Sequence, residues 1–224
     1  MEFIYRDEYF VAINKPNGLL VHRSHIAADA SEFALQIVRD ILGRYVYPVH
    51  RLDRKTSGVL LFALSSEMAK ALQKLMESGA VQKRYLAIVR GYFTDEINHN
   101  HPLINEAGKI QEAETLFRGL KTTEIELSLG KFPTSRYSLI EAFPRTGRMH
   151  QIRRHLDHLR HPIIGDRPWG CNKQNKLFLE KWNMNTMMLH AESLVLPHPV
   201  SGEIMTLRAD FPGEFERMLK ELKF

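Results

Sequence analysis

Apolar and polar residues follow one another along this chain in short runs with two distinct periods. Phe3 to Arg6 and Tyr9 to Asn14 are rich in β-formers and are separated by Asp7-Glu8, which predicts a hairpin; Lys15-Pro16-Asn17-Gly18 predicts the turn that follows. Between Ser31 and Leu42 the apolar residues Phe33, Ala34, Ile37, Val38 and Ile41 recur at helical spacing, with Ser31 as N-cap and Gly43 as stop. Tyr45, Val46, Tyr47 and Val49 read as a short strand. Val59 to Leu64 is a continuous apolar run of the kind buried in a sheet, so 50–58 is a loop between two core strands. Ser66 to Ser78 is a second helix, with Ala69, Leu72, Leu75 and Met76 on one face and Gly79 as its end.

Beyond it, Lys83 to Arg90 reads as a strand and Thr94 to Gly108 as an exposed polar excursion. Strands are expected near Glu112 to Phe117, Thr123 to Leu129, Tyr137 to Phe143 and Met187 to Leu196. The last leads into the turn His198 to Gly202, across which Ile204 to Ala209 pairs back. Pro212 to Leu222 forms a closing helix with Phe215, Met218, Leu219 and Leu222 on one face. Strands outnumber helices and come in runs, which predicts an α+β fold: a mostly antiparallel mixed sheet flanked by helices. No repeat, low-complexity linker or clear boundary interrupts the 224 residues, so a single domain is expected.

Composition narrows the class. A chain that is 44% hydrophobic and 25% charged is that of an ordinary globular protein. No apolar run approaches the roughly 20 residues that span a bilayer, and the start lacks the basic and apolar regions of a signal peptide. A cytoplasmic location without membrane contact is therefore expected. The single cysteine, Cys171, excludes an internal disulfide and fits a reducing compartment. The net charge of +5 is modest, but between Arg136 and Lys176 nine Lys or Arg face three Asp or Glu. That local surplus suits a phosphate backbone.

Three segments could carry chemistry. His50-Arg51-Leu52-Asp53-Arg54-Lys55-Thr56-Ser57-Gly58 sets one carboxylate among three positive charges, Arg51, Arg54 and Lys55, which favour its ionised form and attract polyanions. In Thr146 to Leu156, a helix beginning near Gly147 would put Met149, Ile152, Arg153 and Leu156 on one buried stripe. A guanidinium there needs a carboxylate, and Asp53 is the expected partner. Arg148 and Arg154 beside it belong to the basic surplus. Lys83 and Tyr85 share one face of their strand, where the phenol could stack on a nucleobase.

Other chemistries find little support. Eleven histidines are present, and His150, His155, His158 and His161 crowd one region, yet no Cys pair accompanies them and no His-Glu-x-x-His occurs; no metal is expected. Phosphate-binding Gly loops are missing, so no nucleotide cofactor is expected, and no Gly-x-Ser-x-Gly elbow offers a serine nucleophile.

Together these segments resemble the RluA family of pseudouridine synthases. His50-Arg51-Leu52-Asp53 with Thr56-Ser57-Gly58 matches its catalytic-aspartate motif, Lys83-Arg84-Tyr85 its lysine-x-tyrosine motif, and Gly147 to Arg153 its arginine motif. Asn14-Lys15-Pro16-Asn17-Gly18, His161 to Asp166, and Leu189-His190-Ala191 with His198-Pro199 follow in the expected order. Met149 departs from the pattern, standing where many members carry a small polar residue, and the excursion after Thr94 is short. Leu20-Val21-His22-Arg23-Ser24 and Arg153 to Pro162 are most similar to the members that modify uridine 65 of tRNA.

The resemblance implies an isomerase that converts uridine to pseudouridine without a cofactor. It implies Asp53 as the group acting at the ribose, either as nucleophile at C1′ or as base at C2′, with Arg153 orienting it and Tyr85 stacking on the flipped base. Arg51 would help to displace that base and Ile152 would wall the pocket, while Arg54, Lys55, Lys83, Arg148, His150 and Arg154 would contact RNA. The expected partner is tRNA, bound by a monomer with no required protein partner and no separate N-terminal RNA-binding domain of the S4 type. The alternatives are a ribosomal-RNA-directed relative and a non-catalytic RNA-binding protein on the same fold. A glycosidic-bond hydrolase is a further reading, although such enzymes usually use two acids.

Overall fold

A computed structural model describes residues 1–22 and 32–224. In chain order the elements are β1 (Glu2–Arg6), β2 (Phe10–Lys15), α1 (Ala34–Leu42), β3 (Tyr47–Pro48), β4 (Ser57–Ala63), α2 (Ser66–Glu77) and β5 (Gln82–Arg90). There follow β6 (Glu96–Asn100), β7 (Leu103–Ile104), β8 (Ile110–Gln111), β9 (Glu114–Ile125), β10 (Ser135–Pro144), α3 (Gln151–His158) and α4 (Asn172–Trp182). The chain closes with β11 (Leu189–Pro197), β12 (Ile204–Arg208) and α5 (Gly213–Glu221).

Two compact units divide the chain. The first comprises Met1–Lys83 and Ala191–Asp210, and its strands run in the order β1-β2-β4-β11, with β12 paired to β11 and β3 to β4. β4 is buried along its whole length, as its unbroken apolar run requires. Around it Phe10, Ala12, Val59, Leu61, Leu72 and Leu194 form this unit's core. The hairpin of β1 and β2 is present, stapled by Asp7, whose Oδ1 accepts the amides of Tyr9 and Phe10 at 2.7 and 2.8 Å. α2 starts at a cap formed by Ser65, whose hydroxyl accepts the Met68 amide at 3.1 Å.

The second unit comprises Arg84–His190 and Phe211–Phe224, with strand order β5-β10-β9-β6. Its core gathers Ile88, Phe117, Tyr137 and Ile140 from the strands with Leu156, Phe178, Phe215 and Met218 from the helices. The named pairings of β10 with β5 and β9, of β6 with β9 and of β7 with β8 are all antiparallel. The expected α+β architecture, a mostly antiparallel sheet with flanking helices, is the one observed.

Several expectations need correction. The segments Glu112–Phe117 and Thr123–Leu129 are not two strands; a single long β9 joins most of the first to the start of the second because it pairs with β10 along its length, with one register shift at Leu139/Ile140. The polar excursion from Thr94 to Gly108 contains β6, paired to β9 from Glu96↔Arg118 to Asn100↔Glu114, and then β7, whose hairpin partner β8 lies just beyond it. The strand expected from Tyr45 to Val49 shrinks to β3. α3 begins at Gln151 rather than near Gly147, since His150 takes a left-handed φ of 55° as its N-cap; Met149 stays off the buried face and is exposed. Pro212 caps α5 from outside it. α4 is not anticipated by the sequence reading at all. The expected N-cap Ser31, with Arg23 and Ser24, lies outside the described residues, and α1 follows the extended Phe33 instead.

Candidate active site

The loop that carries Asp53 is held by the turn between β2 and α1. The Gly18 amide donates to the Arg54 carbonyl at 2.8 Å, and Arg54 Nε returns a bond to the Gly18 carbonyl at 3.1 Å. Asn17 Nδ2 donates to the Lys55 carbonyl. Within the loop the Thr56 amide closes on the Asp53 carbonyl at 3.0 Å. The half-buried Asp53 therefore sits on a backbone fixed from both sides, while Thr56 and Ser57 are buried at the start of β4.

Beneath this loop lies a cation to which the sequence alone assigns no role at the site. Lys15 is fully buried, and its ammonium donates to the carbonyls of Pro16, Leu19 and Arg54 at 2.9, 2.8 and 3.2 Å. Burial pushes its pKa down to about 7, and the negative charge of Asp53 opposes that shift. Lys15 thus joins Arg51, Arg54 and Lys55 as a positive charge near the carboxylate, and it is the one with the least solvent around it. Its signal in the sequence is the lysine at the end of an otherwise apolar strand. His50, at the entrance of the loop, accepts the Leu61 amide through Nε2 at 3.2 Å; burial and the charge of Lys83 press its pKa down to about 4.

In the second unit the buried face of α3 consists of Gln151, Ile152, Arg153, His155 and Leu156. Gln151 ties the helix start to β9: its Oε1 accepts Thr146 Oγ1 at 2.7 Å and the Arg148 amide at 2.9 Å, and its Nε2 donates to the Glu114 carbonyl at 2.9 Å. Arg153 is as buried as the stripe predicts, and it meets a carboxylate as burial demands. One carboxylate that it meets is Asp166, which accepts from Nε and Nη2 in a bidentate pair at 2.7 and 2.8 Å. The sequence reading does not single out Asp166.

The loop holding Asp166 is tightly built. Asn175 of α4 donates to the Asp166 carbonyl at 2.6 Å and accepts the Gly165 amide at 2.8 Å. Gly165 has a φ of 82°, and a Cβ there would lie 1.8 Å from the Thr186 carbonyl oxygen, so only glycine fits. Tyr85 lies on β5, half-buried against the same core and opposite Ala142 of β10. Its neighbour Arg84 pairs with Glu141 at 2.5 Å.

Residues 9–158 match the family model described as RNA pseudouridylate synthase. The chain belongs to the RNA pseudouridylate synthase family. It is 43% identical to the tRNA pseudouridine synthase C of Vibrio parahaemolyticus over 235 residues, covering 100% of this chain and 96% of that protein. With the protein of the same name from Pasteurella multocida it shares 46% identity over 220 residues, 93% of this chain and 90% of the relative. Among solved structures, human RNA Pseudouridylate Synthase Domain Containing 4 matches with a TM-score of 0.72 at 25% identity, covering 99% of this chain and 93% of that one. Human RNA Pseudouridylate Synthase Domain Containing 1, at 20% identity and a TM-score of 0.73, has the same fold.

For a member of this family, the remaining RNA-facing candidates are distributed as follows. Arg51 and Arg54 are exposed, and Lys55 and Lys83 are half-buried. Arg148 donates through Nε to the Glu112 carbonyl at 2.8 Å. Arg154 donates to the Ile104 carbonyl at 3.0 Å and lies 5.3 Å above the Trp169 ring. Trp169 Nε1 in turn reaches His150 Nδ1 at 3.4 Å. Trp169 is a member of this cluster that residue-type reasoning passes over. Elsewhere in the basic segment, Arg136 and Arg145 pair with Glu124 and Glu114, so the net surplus overstates the charge available to a ligand. No helix among the described residues is long and apolar enough to cross a membrane.

Proposed function

We propose that this chain isomerises uridine to pseudouridine in tRNA, at position 65, in the cytoplasm. The observation that carries the reading is the identity over nearly full length to relatives named tRNA pseudouridine synthase C. In the reaction the bond from ribose C1′ to uracil N1 breaks, the base turns, and C5 joins C1′. C5 loses its proton and N1 gains one, so nothing is oxidised or hydrolysed and no cofactor is needed.

Asp53 is the carboxylate that acts at the ribose, as nucleophile at C1′ or base at C2′. The backbone bonds that fix its loop and the buried Lys15 ammonium beneath that loop support this assignment. Arg153, locked by Asp166, keeps Asp53 oriented. Tyr85 stacks on the base once it has left the helix, a step costing roughly a few kcal/mol to which Arg51 contributes by displacement. Ile152 is an apolar wall of the pocket. Arg54, Lys55, Lys83, Arg148, His150 and Arg154 grip the RNA backbone. Residues 1–224 act as one catalytic domain; the family match from 9 to 158 runs through segments of both units, which supports this. The enzyme works as a monomer without a protein partner.

The test is release of tritium from tRNA labelled at uracil C5. Wild-type protein should release it, and pseudouridine should vanish from position 65 in cells lacking the gene. Asp53→Asn should abolish release while RNA affinity stays within about 1 kcal/mol, because phosphate contacts dominate binding. Arg153→Lys should also impair turnover, since an ammonium cannot reproduce the guanidinium fork. RNA binding without release from any cellular RNA would favour a non-catalytic binder, and free uracil as product would point to a hydrolase.

A further inference from the structure

Within the second unit, three imidazoles converge that the isomerisation does not use. His99 lies on β6 and His101 follows it two residues later, while His158 ends α3. Each offers a ring nitrogen, and these three nitrogens lie within 4.8 Å of one another. His158 Nδ1 and His99 Nε2 are 3.1 Å apart. The rings of His101 and His158 stack with centroids 4.0 Å apart.

A fourth histidine supports the group from behind. His155 is fully buried, with Nδ1 against Thr115 Oγ1 and Nε2 against the His101 carbonyl, each at 3.0 Å. Its ring packs edge-on to His99 at 4.9 Å. The backbone of His101 and the ring of His99 are thus held by a group that does not itself belong to the triad, as outer-shell partners hold metal ligands.

We propose that His99, His101 and His158 form a three-histidine site for a divalent transition metal of the zinc class, with the fourth coordination position open to water. The donor set selects the class: imidazoles suit zinc, nickel and copper, whereas magnesium and calcium seek oxygen. Tetrahedral zinc with bonds of about 2.0–2.1 Å needs ligand nitrogens about 3.4 Å apart. The His99–His158 pair is already near that spacing, and the His101 nitrogen lies within 4.8 Å of both. The ion would tie the end of β6 to the end of α3, the helix that carries Arg153. This inference does not depend on the proposed RNA chemistry.

The decisive experiment uses the full chain without an affinity tag, stripped with a chelator and titrated with zinc by calorimetry and with cobalt by visible absorption. One equivalent should bind at micromolar concentration or below, cobalt should show the intense bands of a tetrahedral site, and zinc at a hundredfold excess over Kd should raise the thermal midpoint by about 5 °C or more. His99→Ala and His158→Ala should each weaken binding at least about tenfold, with His22→Ala, in the other unit, binding as wild type. Circular dichroism checks that each variant is folded; should His99→Ala fail to fold, the exposed His158→Asn replaces it. Absence of saturable binding below about a millimolar, or wild-type affinity in the folded His158 variants, overturns the proposal.

Discussion

Lys15 and Arg153 are both buried cations, and the protein satisfies them by different means. Lys15 is compact enough to be surrounded by three backbone carbonyls, and it surrenders part of its basicity, with a pKa near 7. Arg153 keeps its charge and takes a bidentate carboxylate. Replacing Asp166 with Asn retains shape but leaves a guanidinium buried against a neutral amide. Asp166→Asn should cost about 3–5 kcal/mol of stability, measured by chemical denaturation, and should impair turnover through Arg153. A cost below about 1 kcal/mol would show that the pair is dispensable. The demand for a carboxylate was legible in the sequence, because Arg153 falls on an apolar stripe. The contribution of Asp166 was not, since it stands in a loop that no periodicity connects to the helix.

Among the elements, those whose burial is regular were the easiest to read. β4, the β11–β12 hairpin and α2 follow from their apolar patterns. α4 escaped because only Gln174 and Phe178 are buried along it and Cys171 offers no side-chain cap, so neither period nor punctuation marks it. β9 looked like two strands because much of its middle is exposed and polar; the hydrogen bonds to β10 make it one. Gly58, by contrast, is legible as a glycine after the Asp53 loop, but its reason is tertiary. With a φ of 113°, a Cβ there would lie 2.1 Å from the Ala191 carbonyl oxygen of β11. Gly58→Ala should therefore lose at least about 2 kcal/mol or fail to accumulate folded, whereas Gly108→Ala, which meets nothing within 4 Å, should cost about 1 kcal/mol from its positive φ alone. Equal denaturation midpoints for the two variants would refute the close-approach argument.

At the scale of the whole molecule, charge is distributed less simply than the basic segment suggests. Arg136, Arg145 and Arg153 are engaged with carboxylates, while among the described residues Arg148 bonds a carbonyl and Arg154 a carbonyl and an aromatic face. Arg148→Gln and Arg154→Gln should each lower the salt slope of RNA binding by about 1, and Arg145→Gln should change it less. Filter binding across a salt series would measure this, and equal slopes in all three variants would contradict the assignment. The sequence alone determined the fold class, the family and the Asp53, Tyr85 and Arg153 motifs, because these rest on local periodicity and on ordered short segments. The tertiary structure alone decided which groups meet: Lys15 beneath the Asp53 loop, Asp166 on Arg153, and His99 and His101 beside His158. Those contacts join residues of different elements and loops, and burial and electrostatics act on distance in space, which spacing along a sequence does not encode.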